Sequence, residues 1–498
     1  MTDFFGKIFK QTILYIILVE LLSFAGYFFP SVNTIAFFAI IIIVFFLSLK
    51  NLETGIFIML AELFIGSFGK LFYFEHDGLL ISIRVALWLV IMSVWLGKMI
   101  TELIKTKKIS IKDFFNFGYI KYFLILFVFI IFGILNGFIN NNGFGNIFLD
   151  ANGWFYFSLI FPMYFVFKND FQKKMSSVLQ IFSASILWLS FKTFFLLFIF
   201  SHSMMVMLDL YGWVRTSGVG EITMMSELGG FYRIFFQSHI YIVAGYFLFF
   251  LFSVKNISKY FVTLFLLLSL FNAVNIISLS RSNWVGFLGG MILVFMFILW
   301  KLGLKKFIYS IFLFILSAAL GFIFVFIVVK FPYPKPTADF GMDLFSRRAQ
   351  ISEEAGVSSR WALLDKLWPE IKSAPVLGKG FGAVISYKSS DPRVLSQTAD
   401  GNYTTFSFEW GWLDTWLKLG FFGVASYLFL IFIIIYNTFI YIKNKIVLTD
   451  IDLIIVSSVV ALAVLGMINF FSPYLNHPLG IGYLLIVSFF NEKTANIK

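Results

Sequence analysis

The chain has no cysteine, which excludes disulfides, cysteine zinc sites and thiol nucleophiles. Histidine is nearly absent too. The four, at 76, 202, 239 and 477, are scattered, an arrangement that argues against a histidine metal site. No HExxH pair and no GxSxG elbow is present. GKGFG at 378–382 lacks the spacing and the following Ser or Thr of a phosphate-binding loop. The expected cofactor set is therefore empty, with no metal. Charge is also scarce, at 13% of residues where an ordinary soluble chain has about 25%.

What is there is apolar. Hydrophobic residues make up 60% of the 498, and Phe alone accounts for 71. Mean hydropathy is +0.91. Apolar runs of about 20 residues recur along the chain, the length that crosses a bilayer. They predict about fourteen spans, near 11–30, 33–49, 53–70, 79–99, 119–138, 149–167, 177–200, 236–254, 259–279, 283–300, 306–329, 412–436, 450–471 and 478–491. The fold class expected is an all-α polytopic membrane protein, residues 1–498 forming a single membrane domain. MTDFFGKIFKQ leads into a full-length span with no small-residue cleavage site, so no cleavable signal peptide is expected.

The net charge of +12 is distributed as a topology signal and does not point to nucleic acid. Lysines gather in KMITELIKTKKISIKD, FKNDFQKK, VKNISK, KLGLKK, YIKNK and the final EKTANIK, all on one side of the predicted spans. The opposite loops, NNNGFGN and SPYLNHP, carry no basic residue. Both termini are therefore expected in the cytoplasm. No internal repeat is visible, whereas paired inverted halves mark many transporters.

Two outer segments are longer, 201–235 and 330–411, and long loops in compact proteins tend to be functional or disordered. The larger contains SSRWALLDKLWPEIKSAP, where Ser358 or Ser359 can cap a helix. Trp361, Leu364, Trp368 and Ile371 recur there at helical spacing, predicting an amphipathic helix with that apolar face packed inward.

The outer ends of the spans hold Arg215, Arg233, Arg281, Arg360, Glu409, Asp414 and Lys418. Arg281, in LSRSNWVG between two apolar runs, either snorkels to a lipid head group or forms a forked anion contact. Arg360 opens the loop helix, where the helix dipole disfavours a cation. Glu409 stands beside Trp410 and Trp412 at a predicted membrane edge. It is either an acid in an aromatic belt or a desolvated carboxylate able to take a proton from a hydroxyl. Asp414 and Lys418, four apart, are expected to form an intrahelical ion pair. Glu20, Glu62, Arg84 and Lys192 lie inside predicted spans, and spacing leaves their partners open.

In order, these pieces resemble the superfamily of O-antigen ligases and Wzy-type O-antigen polymerases. SRSNWVG is similar to the family's SRs-x-W segment. Arg360, Trp361 and PVLGKGFG are similar to its R…W…P-lGxGfG. Glu409-Trp-Gly-Trp-Leu413 and Gly420-Phe-Phe-Gly423 stand where the family has HNxxL…GliG, with Glu409 in the histidine's place. The resemblance spans about residues 200–480 and includes Arg233, before the eighth span.

It implies a GT-C-like fold of about 14 helices with a large outer loop, and an inverting, metal-independent glycosyltransferase of the bacterial inner membrane. The donor would be an oligosaccharide on undecaprenyl diphosphate. Arg281 and Arg360 would bind the diphosphate and Glu409 would be the base, making these three the catalytic set. Arg233, Arg215 and His239 would assist binding. The first expectation is a polymerase of polysaccharide repeat units, with membrane lipid and a chain-length regulator protein as partners. The alternatives are an O-antigen ligase delivering glycan to lipid A-core and, from another class, a flippase for lipid-linked sugars.

Overall fold

The computed structural model describes residues 4–77, 79–106, 114–225, 230–255, 260–341, 355–390, 392–395, 398 and 400–495. The apolar runs fold as helices because lipid offers no partner to a main-chain N–H or C=O, so each segment must satisfy its own. In chain order the first are α1 (Lys7–Phe28), α2 (Pro30–Lys50), α3 (Leu52–Ile65), the hairpin β1 (Tyr73–His76) and β2 (Leu79–Ser82), α4 (Ile83–Thr106), α5 (Ile120–Ile139), α6 (Phe144–Ala151), α7 (Ile160–Phe167) and α8 (Phe171–Ser201). There follow α9 (Met207–Thr216), β3 (Gly220–Met225), β4 (Phe231–Phe236), α10 (His239–Lys255), α11 (Phe261–Ser278), α12 (Arg281–Leu302) and α13 (Leu304–Val329). The rest are α14 (Ala355–Ser373), β5 (Ile385–Lys388), α15 (Pro392–Leu395), β6 (Asn402–Thr405), α16 (Gly411–Lys443), α17 (Asp450–Ile468), α18 (Pro478–Phe490) and α19 (Glu492–Ala495). Strands among the described residues form only three two-stranded antiparallel hairpins.

Ten of the described helices are long and apolar enough to cross a membrane: α1, α2, α4, α5, α8, α11, α12, α13, α16 and α17. The protein is all-α and polytopic, but four of the fourteen predicted stretches differ from that standard. The run at 53–70 stops early, because α3 ends at Ile65, is capped by Gly66, and the chain turns through Ser67 and Gly69, both at positive φ. The run at 149–167 is broken into α6, a 3-10 segment Asn152–Leu159, and α7. Pro162 lies in the first turn of α7, the one place where its missing N–H costs no helical bond. The runs at 236–254 and 478–491 become α10, of 17 residues, and α18, of 13. Every α10 residue from His239 to Val254 is buried. A helix walled by protein need not match the hydrocarbon thickness.

The described residues group into two compact units, each assembled from separate stretches. One comprises 1–110, 159–344 and 447–461, and the other 111–158, 345–446 and 462–498.

The first unit pairs the four intramembrane charges whose partners spacing left open. Arg84 grips Glu62 with two bonds of 2.9 and 3.0 Å and donates to the Ser67 carbonyl at 2.5 Å. Lys192 meets Glu20 at 2.6 Å. All four side chains are buried. In the same unit, Phe64 packs edge-on against Tyr241 and Phe182 at 4.9 and 5.3 Å.

The basic loops of this unit also close helix ends. Lys174 donates to the carbonyls of Val166 and Asn169 at 2.7 and 2.8 Å, and Lys306 to that of Val254 at 2.8 Å. Cations at these C-terminal carbonyls complement the helix dipole. Residues 107–113, 256–259 and 496–498 of the Lys-rich segments lie outside the described residues. The smaller loop, 201–235, is occupied by α9 and the β3–β4 hairpin.

The second unit packs α14 and the β5–β6 hairpin over the start of α16. Its core there is Leu363, Leu367, Ile371, Ala383, Ile385, Phe408 and Leu417. Of the large loop, 342–354, 391, 396–397 and 399 lie outside the described residues.

Candidate active-site residues

In the first unit, LSRSNWVG is a helix stop followed at once by a helix start. α11 ends at Ser278, and Leu279 takes a left-handed conformation with φ 43°. Ser280 then caps α12 by accepting from the Asn283 N–H at 3.4 Å. Arg281 is the first residue of α12 and is half-buried. Trp284 braces the elbow by donating its indole N–H to the Asn275 carbonyl at 2.9 Å.

Arg233 reaches the same elbow from another element. It sits on β4 opposite Thr223, and its Nε donates to the Ser278 carbonyl at 2.9 Å. Its guanidinium also lies 4.8 Å from the Phe235 ring centre. Two arginines separated by 48 positions are thus anchored on one helix elbow, one on each side of Leu279.

Arg215 and His239 stand apart from that elbow contact. Arg215, in the last turn of α9, pairs with Glu221 of β3 at 3.7 Å and lies over Tyr211. His239 is fully buried. Its Nδ1 accepts from the Phe236 N–H at 3.4 Å, so Nε2 carries the proton and donates to Thr193 Oγ1 at 3.0 Å. With both ring nitrogens used inside the core, His239 presents nothing to a surface.

In the second unit, Arg360 Nε donates to Glu409 Oε2 in an ion pair. Trp410 locks the pair's backbone by donating its indole N–H to the Arg360 carbonyl at 3.1 Å. The Glu409 side chain is 54% exposed, which decides between the two readings in favour of a solvated acid beside the aromatic residues. An exposed carboxylate with one oxygen held by an arginine can still accept a proton or hydrogen bond from a sugar hydroxyl.

The loop helix is present but starts at Ala355, so Ser358 and Ser359 lie within it, Arg360 does not open it, and its buried face is turned. Its buried stripe is Ser359, Leu363, Leu367 and Ile371, not the predicted Trp361, Leu364, Trp368 and Ile371. Only Ile371 belongs to both. Branched side chains at spacing four fit under the β5–β6 hairpin, and Ser359 bonds Ser389 beneath it at 2.8 Å. The bulkier Trp361 and Trp368 are left outside, 57% and 41% exposed.

The glycine turn after α14 is a packing device. Gly378, Gly380 and Gly382 all have φ between 69 and 78°. A Cβ on Gly380 would lie 2.1 Å from the Gly137 nitrogen of α5. One on Gly378 would lie 2.7 Å from the nitrogen of Gly420, itself a kink in α16 with φ 69°. The two glycine motifs, far apart in sequence, therefore touch backbone to backbone. The Lys379 N–H bonds the Leu417 carbonyl at 2.6 Å, and that of Phe381 the Gly133 carbonyl at 3.0 Å.

A buried triad secures this turn. Asp414 and Lys418 form the expected i, i+4 pair at 2.5 Å, and Lys418 also meets Asp150 of α6 at 2.5 Å. Asp150 in turn accepts from the Gly382 N–H at 2.8 Å, while Asn476 donates to Asp414 at 2.6 Å. Sequence reasoning missed Asp150. The available signal was an acid at the edge of an apolar run, read there as the start of a span.

No curated protein and no solved structure matches the chain. Residues 263–428, which contain Arg281, Arg360 and Glu409 but not Arg215, Arg233 or His239, match the family model described as O-antigen ligase. That match is consistent with the O-antigen ligase and Wzy superfamily that the sequence resembles, and it supports a glycosyltransferase-like activity of ligase or polymerase type in an integral membrane protein.

Proposed function

We propose that the protein polymerises polysaccharide repeat units at the outer face of a bacterial inner membrane, with both termini cytoplasmic. The donor glycan leaves undecaprenyl diphosphate and joins a sugar hydroxyl of another lipid-linked repeat unit. The observation that carries this reading is the exposed Arg360–Glu409 pair inside the segment that matches the family model.

In the proposed step, the acceptor hydroxyl oxygen attacks the anomeric carbon of the donor sugar. The bond from that carbon to the diphosphate oxygen breaks with inversion. The hydroxyl proton passes to Glu409, and the electron pair leaves with the lipid diphosphate. Arg360 orients the Glu409 carboxylate through the bond to Oε2. Arg281, at the start of α12, binds the diphosphate as its charge grows, with Arg233 beside the same elbow. A planar guanidinium suits that role through forked bonds to phosphate oxygens.

The test is to replace Arg281, Arg360 and Glu409 singly with Ala in a polymerising strain. Glycan should collapse to single repeat units while protein levels hold. Long chains in the Arg281 and Glu409 variants at normal protein levels would refute the reading. Arg281→Lys should rescue poorly if forked binding is needed.

The description of the matched family favours a second reading, an O-antigen ligase. Against it stands Glu409 in the place of that family's histidine. The same variants separate the two. Loss of a ligase strands full-length polymer on the carrier lipid, whereas loss of a polymerase leaves single units.

A further inference from the structure

Two pairs of tryptophans join α14 to the start of α16, and their surroundings differ. Trp368 packs edge-on against Trp416 at 6.1 Å. Trp416 spends its indole N–H on the Pro375 carbonyl and lies 6.2 Å from Phe421. Exposed Val376, Leu377, Phe421 and Phe422 continue that patch. This is the composition of a membrane-interface belt.

The other pair is Trp361 and Trp410, packed edge-on at 5.8 Å, two turns of α14 away. Trp410 is fixed from behind by Phe471 at 5.8 Å and by its own bond to the Arg360 carbonyl. The residues directly preceding the two rings in sequence are the charged Arg360 and Glu409, joined to each other and 39% and 54% exposed. An ion pair with that exposure is solvated, so a ring beside it faces a polar medium. There the indole face of Trp361 is a large apolar surface with a cost, held rigid by only two side-chain torsions.

We propose that the exposed face of Trp361, braced by Trp410, is a stacking platform for a pyranose ring of the glycan. The axial C–H bonds of a pyranose present weakly positive hydrogens, which suit the negative face of an indole. The ring hydroxyls then lie at the edge of the stack, where the Arg360–Glu409 pair supplies a donor and an acceptor. The platform thus recognises neutral sugar surface and passes a hydroxyl toward Glu409. This inference rests on the glycosyl-transfer reading and names the sugar subsite within it. Trp361 is a binding residue, and no bond is made or broken on it.

The experiment measures binding without transfer. The probe is the host's repeat-unit oligosaccharide released from its carrier lipid, titrated by calorimetry against the full-length protein in nanodiscs. Trp361→Ala should weaken binding about tenfold, the equivalent of about 1.4 kcal/mol. Trp361→Phe, which keeps an aromatic face, should recover most of it. Trp368→Ala should bind like the parent. Parent-like binding by Trp361→Ala would overturn the platform, whatever the transfer assay shows. Loss of transfer in the Arg281 and Glu409 variants would then still stand for the parent reading. Because the chain has no cysteine, a single Cys at 361 or 368 can carry a lone fluorophore. Quenching by brominated phospholipid at 368 but not at 361 supports the assignment. Equal quenching at 361 would assign Trp361 to lipid and overturn it.

Discussion

Lys418 and Arg360 lie in the same compact unit, and each is bonded to carboxylate, yet they work in opposite settings. The Lys418 side chain is 2% exposed and held between Asp150 and Asp414. That of Arg360 is 39% exposed and holds one carboxylate at a solvated surface. A buried ion cluster costs several kcal/mol of desolvation per ion and survives only when every partner is in place. A solvated pair contributes about 0–1 kcal/mol and can be broken and remade cheaply. The first therefore suits holding the fold, and the second suits meeting a substrate.

Removing Lys418 should give the largest effect on stability. Lys418→Met leaves Asp150 and Asp414 facing each other in an apolar interior, and loss of one partner from a buried ion cluster costs about 3–5 kcal/mol. Thermal unfolding in detergent should show a clear drop in midpoint, with low abundance in membranes. A parent-like midpoint would break the comparison at its buried end.

Glu409→Gln tests the exposed end. It should change unfolding by less than about 1 kcal/mol, while glycan transfer falls about 100- to 10,000-fold, the usual contribution of a general base. Equal losses of stability and activity would place Glu409 with Lys418 as a structural group. Glu409→His, restoring the residue type of the similar family, should keep more activity than the Gln variant.

Gly380→Ala sharpens the comparison by loosening what the triad secures. A Cβ at 2.1 Å from the Gly137 nitrogen forces backbone apart, and overpacking of this kind costs about 1–3 kcal/mol. The unfolding midpoint should fall by less than in Lys418→Met. Trp368→Ala should have the smallest effect, within about 0.5 kcal/mol as for most surface substitutions, checked in the same unfolding series.

Much of this was legible beforehand because it depends on local pattern. Apolar run length marks the spans, and ten of the fourteen predicted stretches coincide with described helices long and apolar enough to cross a membrane. The order SRSNW, Arg360-Trp361, GKGFG and Glu409 pointed to the family whose model matches 263–428. The spacing of Asp414 and Lys418 foretold their pair. The loop helix was legible in existence but not in facing. Two apolar stripes were available at helical spacing, and the fold buries Leu363, Leu367 and Ile371 against Ile385, Phe408 and Leu417, which come from elsewhere in the chain. Asp150 was not legible, because its partners Gly382 and Lys418 lie 232 and 268 residues away.

The amino-acid sequence alone determined that this chain belongs in a membrane and where most of its long helices lie. Both follow from the length of apolar runs, a property of neighbouring residues. Only the tertiary structure decided that Arg84 goes to Glu62 and Lys192 to Glu20. It alone anchored Arg233 on the elbow of Arg281, tied Arg360 to Glu409 and left Trp361 outside. The physical reason is that an intramembrane charge must find an opposite charge or a carbonyl, and which one it finds depends on helices that meet only after the chain has folded.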